Sequence, residues 1–241
     1  MHITPINYNR QLNTTGSKIE PTFGHGGEPF WKSDYSAKDK AIVAGTTALG
    51  VFGSLAALAK YKGYSLKPQN FLNYLKNTKI LCPEILTMGV GTCLGGLAGG
   101  YIIDKNSENR KAKRREAVMQ IGNISIPILL VDLADRICEK FKINDKTTKG
   151  KVIKTASCLS AVVAGIYIAN FAMNKLSNVM FNNKTEERGV KGTDLFPHID
   201  DLLGSAQYID ENSKVIHKIA RIVPFALMVA GNEIGNKTAN E

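Results

Sequence analysis

The stretch Ile85–Ile103 reads ILTMGVGTCLGGLAGGYII, nineteen residues without a charge, and its glycines decide how the chain is read. Gly91, Gly95 and Gly99 recur at every fourth position, and Gly96 and Gly100 form a second row beside them. Six of the twelve residues from 89 to 100 are glycine. In a water-exposed helix each internal glycine costs roughly 1 kcal/mol relative to alanine, so such a run is hard to sustain. Within a bilayer, rows of small residues let two helix backbones approach closely and offset much of that loss. A glycine zipper with a packing role is therefore the expectation for this face. The rival reading, a dinucleotide loop in Gly89–Gly95, needs a preceding strand and an acidic residue about twenty positions on. Pro83, Glu84 and a helix-like run stand there instead.

Outward from this stretch the same exclusion of charge recurs. Residues 41–59 and 155–174 hold nineteen and twenty uncharged residues. Crossing a hydrocarbon core of about 30 Å takes roughly 20 helical residues. Residues 117–131 form a weaker window, interrupted by Gln120, Asn123 and Pro127. The run 222–232 is weaker still and lengthens only by taking in His217, Lys218 and Arg221. No strand-like alternation occurs, so the expected class is all-α, a membrane bundle of four or five hydrophobic helices. The division that follows is a disordered polar arm at 1–36, a helical bundle at 37–181, a polar insert at 182–213, a hydrophobic helix at 214–235 and a tail at 236–241.

Helix ends can be read too. Ser36 with Asp39 starts the first helix and Gly63 ends it; Pro83 and Glu84 open the second. Ser107 caps a long helix reaching about Phe141, with a kink expected at Pro127. Ser213 caps the last helix, and Gly235 occupies the place of a C-terminal glycine. Residues 64–81 contain an amphipathic segment, with Phe71, Leu72, Tyr74 and Leu75 on one stripe, suited to the membrane surface or to the bundle. In the insert, residues 195–208 read as a further short amphipathic helix. Phe30, Trp31 and Tyr35 gather where an aromatic belt would sit.

Thirty-one Lys and Arg against 21 Asp and Glu give a net charge of +10. The densest run is Arg110, Lys111, Lys113, Arg114 and Arg115, read as a cytosolic flank in contact with anionic lipid headgroups. No DNA- or RNA-binding motif accompanies it, so nucleic acid is not the expected partner. Lys and Arg are spread evenly over the loops, and the positive-inside rule selects no orientation. Placing 110–115 inside puts the N-terminal arm inside as well. No seven-to-fifteen-residue apolar run lies in residues 1–40, so no cleavable signal peptide is expected.

Chemistry is sparse. Cys82, Cys93, Cys138 and Cys158 lack metal-site spacing and read as buried thiols. His198 beside Asp200 and Asp201 reads as a solvated helix face. Neither catalytic residues, nor a metal, nor a cofactor is expected, and an enzyme is the last choice. The expected role is structural: assembly or scaffolding through glycine faces, including homo-oligomers. The first alternative is a transporter or channel with a polar pathway of Asp132, Asp135, His217 and Arg221, since ionisable groups at membrane depth are costly. The second is a soluble oligomeric helical module.

Overall fold

The computed structural model describes residues 34–143, 147–181, 205, 206, 208 and 213–239. Among them the chain is all helical: α1 (Ala37–Tyr61), α2 (Pro68–Asn77), α3 (Cys82–Ile103), α4 (Ser107–Lys140), α5 (Thr148–Phe181) and α6 (Lys214–Asn236). A 3-10 turn at Ala220–Ile222 interrupts α6 just before Pro224. All of these except α2 are long and apolar enough to cross a membrane. The windows at 117–131 and 222–232 thus belong to helices of 34 and 23 residues.

The helix ends follow local chemistry. Ser36 accepts the Asp39 amide at the start of α1. At its other end Gly63, at φ +84°, donates to Lys60 while Tyr64 donates to Ala59, the paired bonds of a left-handed glycine cap. Glu84 accepts the Leu81 amide and opens α3. Asn106, one residue earlier than the sequence suggests, caps α4 through the amides of Glu108 and Asn109. Ser213 accepts the Ile216 amide. Gly235 does not end its helix: α6 continues to Asn236, and Gly235 lies against Val43 and Gly96.

α3 is the hub. It packs on α1, α6 and α4, whereas α5 packs principally on α4. Gly91, Gly95 and Gly99 face α1 so closely that an added side-chain carbon would lie 2.9 Å from the Gly50 carbonyl carbon, Thr47 Cα and Val43 Cα respectively. Gly96 and Gly100 do the same toward α6, 2.9 Å from Gly231 Cα and from the Gly235 oxygen. Both glycine rows are consequently occupied within one chain, and neither remains as a face for a second copy. On α5, Gly165 sits against Pro127 of α4.

Helix directions follow from these contacts. α1 and α4 run one way, and α3, α5 and α6 run the other, because Lys154 and Ser177 of α5 meet Asp135 and Arg115 of α4, and Gly235 meets Lys113. α5 and α6 are therefore parallel. Phe181 and Lys214 lie at opposite ends of the bundle, and residues 182–213 join those ends. Most of that insert, including His198, Asp200 and Asp201, lies outside the described residues, as do Phe30, Trp31 and most of the arm; of the short helix expected at 195–208, Ser205, Ala206 and Tyr208 are described, and they are helical.

Candidate functional site: polar groups inside an apolar bundle

The bundle inverts the distribution expected in water. Leu49, Leu94, Ile102, Phe171 and Val179 are each more than half exposed, while Lys113, Glu116, Gln120, Asn123, Asp135 and Lys154 are buried. Buried polar groups and exposed apolar ones are the informative departures from ordinary folding, and together they describe a surface suited to hydrocarbon.

At one end, the basic run 110–115 meets the C-termini of the three parallel helices. Lys113 is completely buried, and its ammonium donates to the Gly235 carbonyl at 2.9 Å, the Lys237 carbonyl at 2.6 Å and the Tyr35 hydroxyl at 3.0 Å. Tyr35 passes the contact on by donating to Asp104, whose carboxylate lies 3.9 Å from Lys113. Arg110 donates to the carbonyls of Asp104 and Tyr101 at the end of α3 and stacks over the Tyr101 ring at 5.0 Å. Arg115 donates to the Ser177 hydroxyl in the last turns of α5. Helix C-termini leave carbonyls unpaired and carry partial negative charge, so cations stabilise them. These contacts correct the lipid-headgroup reading for Lys113, which no headgroup can reach, and commit Arg110 and Arg115 to partners in the chain. Only Lys111 and Arg114 keep that role open. Tyr35 likewise belongs to this network, and Ala239 of the tail donates to Asn109.

Burial would push the Asp104 carboxyl up, but hydrogen bonds from Tyr35, the Asn106 amide and Asn109, with the Lys113 charge nearby, hold it below the usual carboxylate value. At the other end burial would lower Lys62, but its hydrogen bond and charge pairing with Glu84 raise it. Burial pushes the Tyr208 hydroxyl up, which keeps it protonated; it accepts from the Cys82 amide and donates to Asp132 at 3.2 Å.

Between the ends, α4 carries an inward polar stripe. Lys113, Glu116, Gln120 and Asn123 follow one another at spacings of three and four and lead to Pro127, which stacks one face of the helix. Gln120 donates to Glu116 at 3.0 Å and to Glu233 of α6 at 3.1 Å. The Asn123 carboxamide is buried with neither its oxygen nor its nitrogen hydrogen-bonded. Thr92 of α3 donates to the Leu227 carbonyl at 2.8 Å.

The four residues expected to form a pathway are not brought together. Asp132 pairs with Arg136 at 2.8 Å on the same helix, and Asp135 pairs with the buried Lys154 of α5 at 2.6 Å. Arg221 donates to the Lys76 carbonyl at 2.7 Å, and it lines a cleft with His217 from which both aspartates are absent. The reason is the register: α4 turns Asp135 toward α5, while Arg221 emerges toward α2. Lys154, Glu116 and Asp104 were the partners that sequence reasoning missed. The stripe at 113–123 carried a usable signal, its three-and-four spacing, but it reads as a set of interruptions until its neighbours are known. All four cysteines are buried free thiols.

No family model, curated protein or solved structure matches this chain.

Proposed function

We propose that this chain is a multi-pass membrane protein with a structural role, holding helices and lipid in fixed relation without catalysis. The observation that carries the reading is the inversion of polarity: five helices long and apolar enough to cross a membrane expose their apolar faces. The ionisable groups inside engage partners of the same chain, such as Lys113 with two carbonyls and Asp135 with Lys154. Such pairing suits a scaffold better than a transporter, which must release its polar groups to a substrate. The test is fractionation of the expressed chain followed by an alkaline carbonate wash. Retention in the washed membranes with release by detergent is expected. Detergent-free recovery in the supernatant would sink the reading.

A second reading, a water-soluble oligomeric module, draws on the parallel arrangement of α5 and α6. If both helices cross a bilayer, residues 182–213 must cross too, although seven acidic residues lie between Glu186 and Glu211. In water the same connection costs only loop closure. Cysteines introduced by Lys184→Cys and Ser213→Cys separate the two: in sealed vesicles the spanning bundle exposes them on opposite faces. Labelling of both from one face would exclude the spanning arrangement of α5 and α6.

A further inference from the structure

The outward row of α1 is Ala41, Gly45, Leu49, Gly53, Ala57 and Tyr61, every fourth residue and all of them exposed. The row closes on Tyr61, which is 88 % exposed. Gly63 then turns the chain, and Tyr64 and Leu66, each about half exposed, occupy the connection to α2 between the exposed Lys60 and Lys67. α2 itself is spent on the protein. Tyr74 is buried, and Phe71 and Leu75 pack against the core, so the stripe that suits a membrane surface is, Leu72 apart, turned inward. A tyrosine left this exposed at the end of an apolar row fits surroundings that are apolar on one side and wet on the other.

Three helices fix the level of Tyr61. The charge-free run of α1 ends at Lys60, that of α3 begins after Glu84, and the uncharged run of α4 ends at Asp132. These changes fall at one level, because Lys62 pairs with Glu84, and Tyr208 joins the Cys82 amide to Asp132. Helix length agrees. Tyr61 lies eleven residues past Gly50, the middle of the run 41–59, which is about 17 Å along the axis against about 15 Å for half a hydrocarbon core. α4, parallel to α1, continues from Asp132 to Lys140, roughly 12 Å further, and Phe141 at its end is 72 % exposed. The headgroup layer adds only about 5–7 Å on each side of the core. Two exposed aromatic rings on the same side of the bundle therefore stand at different depths.

We propose that the turn Tyr61–Lys67 is an interfacial anchor: Tyr61 and Leu66 lie at the boundary between acyl chains and headgroups, Lys60 and Lys67 reach the headgroup layer, and Phe141 stands in water beyond it. Tyrosine suits that boundary because its ring is apolar and its hydroxyl stays hydrated. Lysine stems lie along apolar surface while the ammonium remains among the headgroups. Such an anchor rests on the membrane reading, on which Leu49, 75 % exposed near the middle of the same row, reports separately.

Tryptophan fluorescence reads these depths. Trp31→Phe removes the only tryptophan of the full chain, and Leu49→Trp, Tyr61→Trp or Phe141→Trp then supplies a single reporter. Each variant is placed in phosphatidylcholine nanodiscs, which leave both faces open. The quenchers are lipids brominated near the headgroup end of the acyl chain, lipids brominated near its methyl end, and aqueous acrylamide. Leu49→Trp should be quenched most by methyl-end bromine, Tyr61→Trp most by headgroup-end bromine, and Phe141→Trp by acrylamide alone. Leu66→Trp takes the place of Tyr61→Trp if that variant does not assemble, and should show the same order. A Tyr61→Trp reporter quenched by acrylamide alone, or in the same order as Leu49→Trp, would overturn the anchor while Leu49→Trp upholds the membrane reading. Quenching of Phe141→Trp by either brominated lipid would overturn the assigned depth. Absence of bromine quenching at Leu49→Trp would remove the membrane reading itself, and the anchor with it.

Discussion

Lys113 and Lys218 carry the same charge at opposite ends of one bundle and live in opposite surroundings. Lys113 is completely buried, with three acceptors around its ammonium, and Lys218 is exposed on the wall of a basic cleft. The difference lies in what the helix directions deliver to each end. Three helices finish near Lys113, and carbonyls at the ends of α3 and α6, the Ser177 hydroxyl of α5 and the Asp104 carboxylate take up Arg110, Lys113 and Arg115. At the Lys218 end the same three helices begin while α1 and α4 finish, so amide donors stand beside carbonyl acceptors, and Arg221 takes the Lys76 carbonyl. A basic cluster becomes a structural fastening where its own chain lays helix-end carbonyls and a carboxylate against it.

The largest effect should come from Lys113→Ala. Removing one partner of a buried, hydrogen-bonded charge typically costs about 3–5 kcal/mol, and the variant should melt far below the parent in detergent. An unchanged melting temperature would show that the end is not fastened by this residue.

Gly95→Ala comes next. The new carbon would fall 2.9 Å from Thr47 Cα, and forcing α1 away from α3 should cost about 2 kcal/mol, read in the same melting experiment. Gly45→Ala on α1 is the matched comparison, since nothing lies within 4 Å of that position; it should melt no lower than the parent. Equal losses for both would mean that glycine acts on helix propensity alone and not on packing.

A smaller effect, about 1.5 kcal/mol, is expected for Asp104→Asn, which weakens hydrogen bonds made to a charged group. Its pH dependence sharpens the test. Because the folded state lowers the Asp104 carboxyl below its unfolded value, its contribution is present above about pH 4 and fades as pH falls through the folded-state value. The Asn variant should lose that part of the acid dependence, so a difference between the two proteins that persists unchanged below it would contradict the assignment. Lys218→Ala closes the series, with a change in stability within about 0.5 kcal/mol.

Much of this was legible without coordinates. The charge-free runs at 41–59, 85–103 and 155–174 mark helices, because hydrocarbon excludes charge from any outward face. Ser36, Gly63 and Ser213 mark ends, because unpaired amides and carbonyls need specific partners. The small residues of α3 announced close approach. Gly235 was misread as a cap, since a glycine near a helix end serves equally for a left-handed turn or for contact, and only its neighbours Val43 and Gly96 decide. In the basic run at 110–115, Lys113 is withdrawn from lipid by burial, and only its contacts with Gly235 and Lys237 reveal that.

The sequence by itself determined the class of the molecule: an all-helical chain whose apolar runs are long enough to cross a membrane. Periodicity, helix length and capping act within a few residues along the chain, so they are readable there. Only the tertiary structure decided that both glycine rows are spent inside one chain, that Asp135 answers to Lys154 and not to Arg221, and that α5 and α6 run parallel. Those outcomes depend on which helix faces meet and in which direction they run. Charge and size specify that a partner is needed, and the packing of distant segments specifies which partner is there.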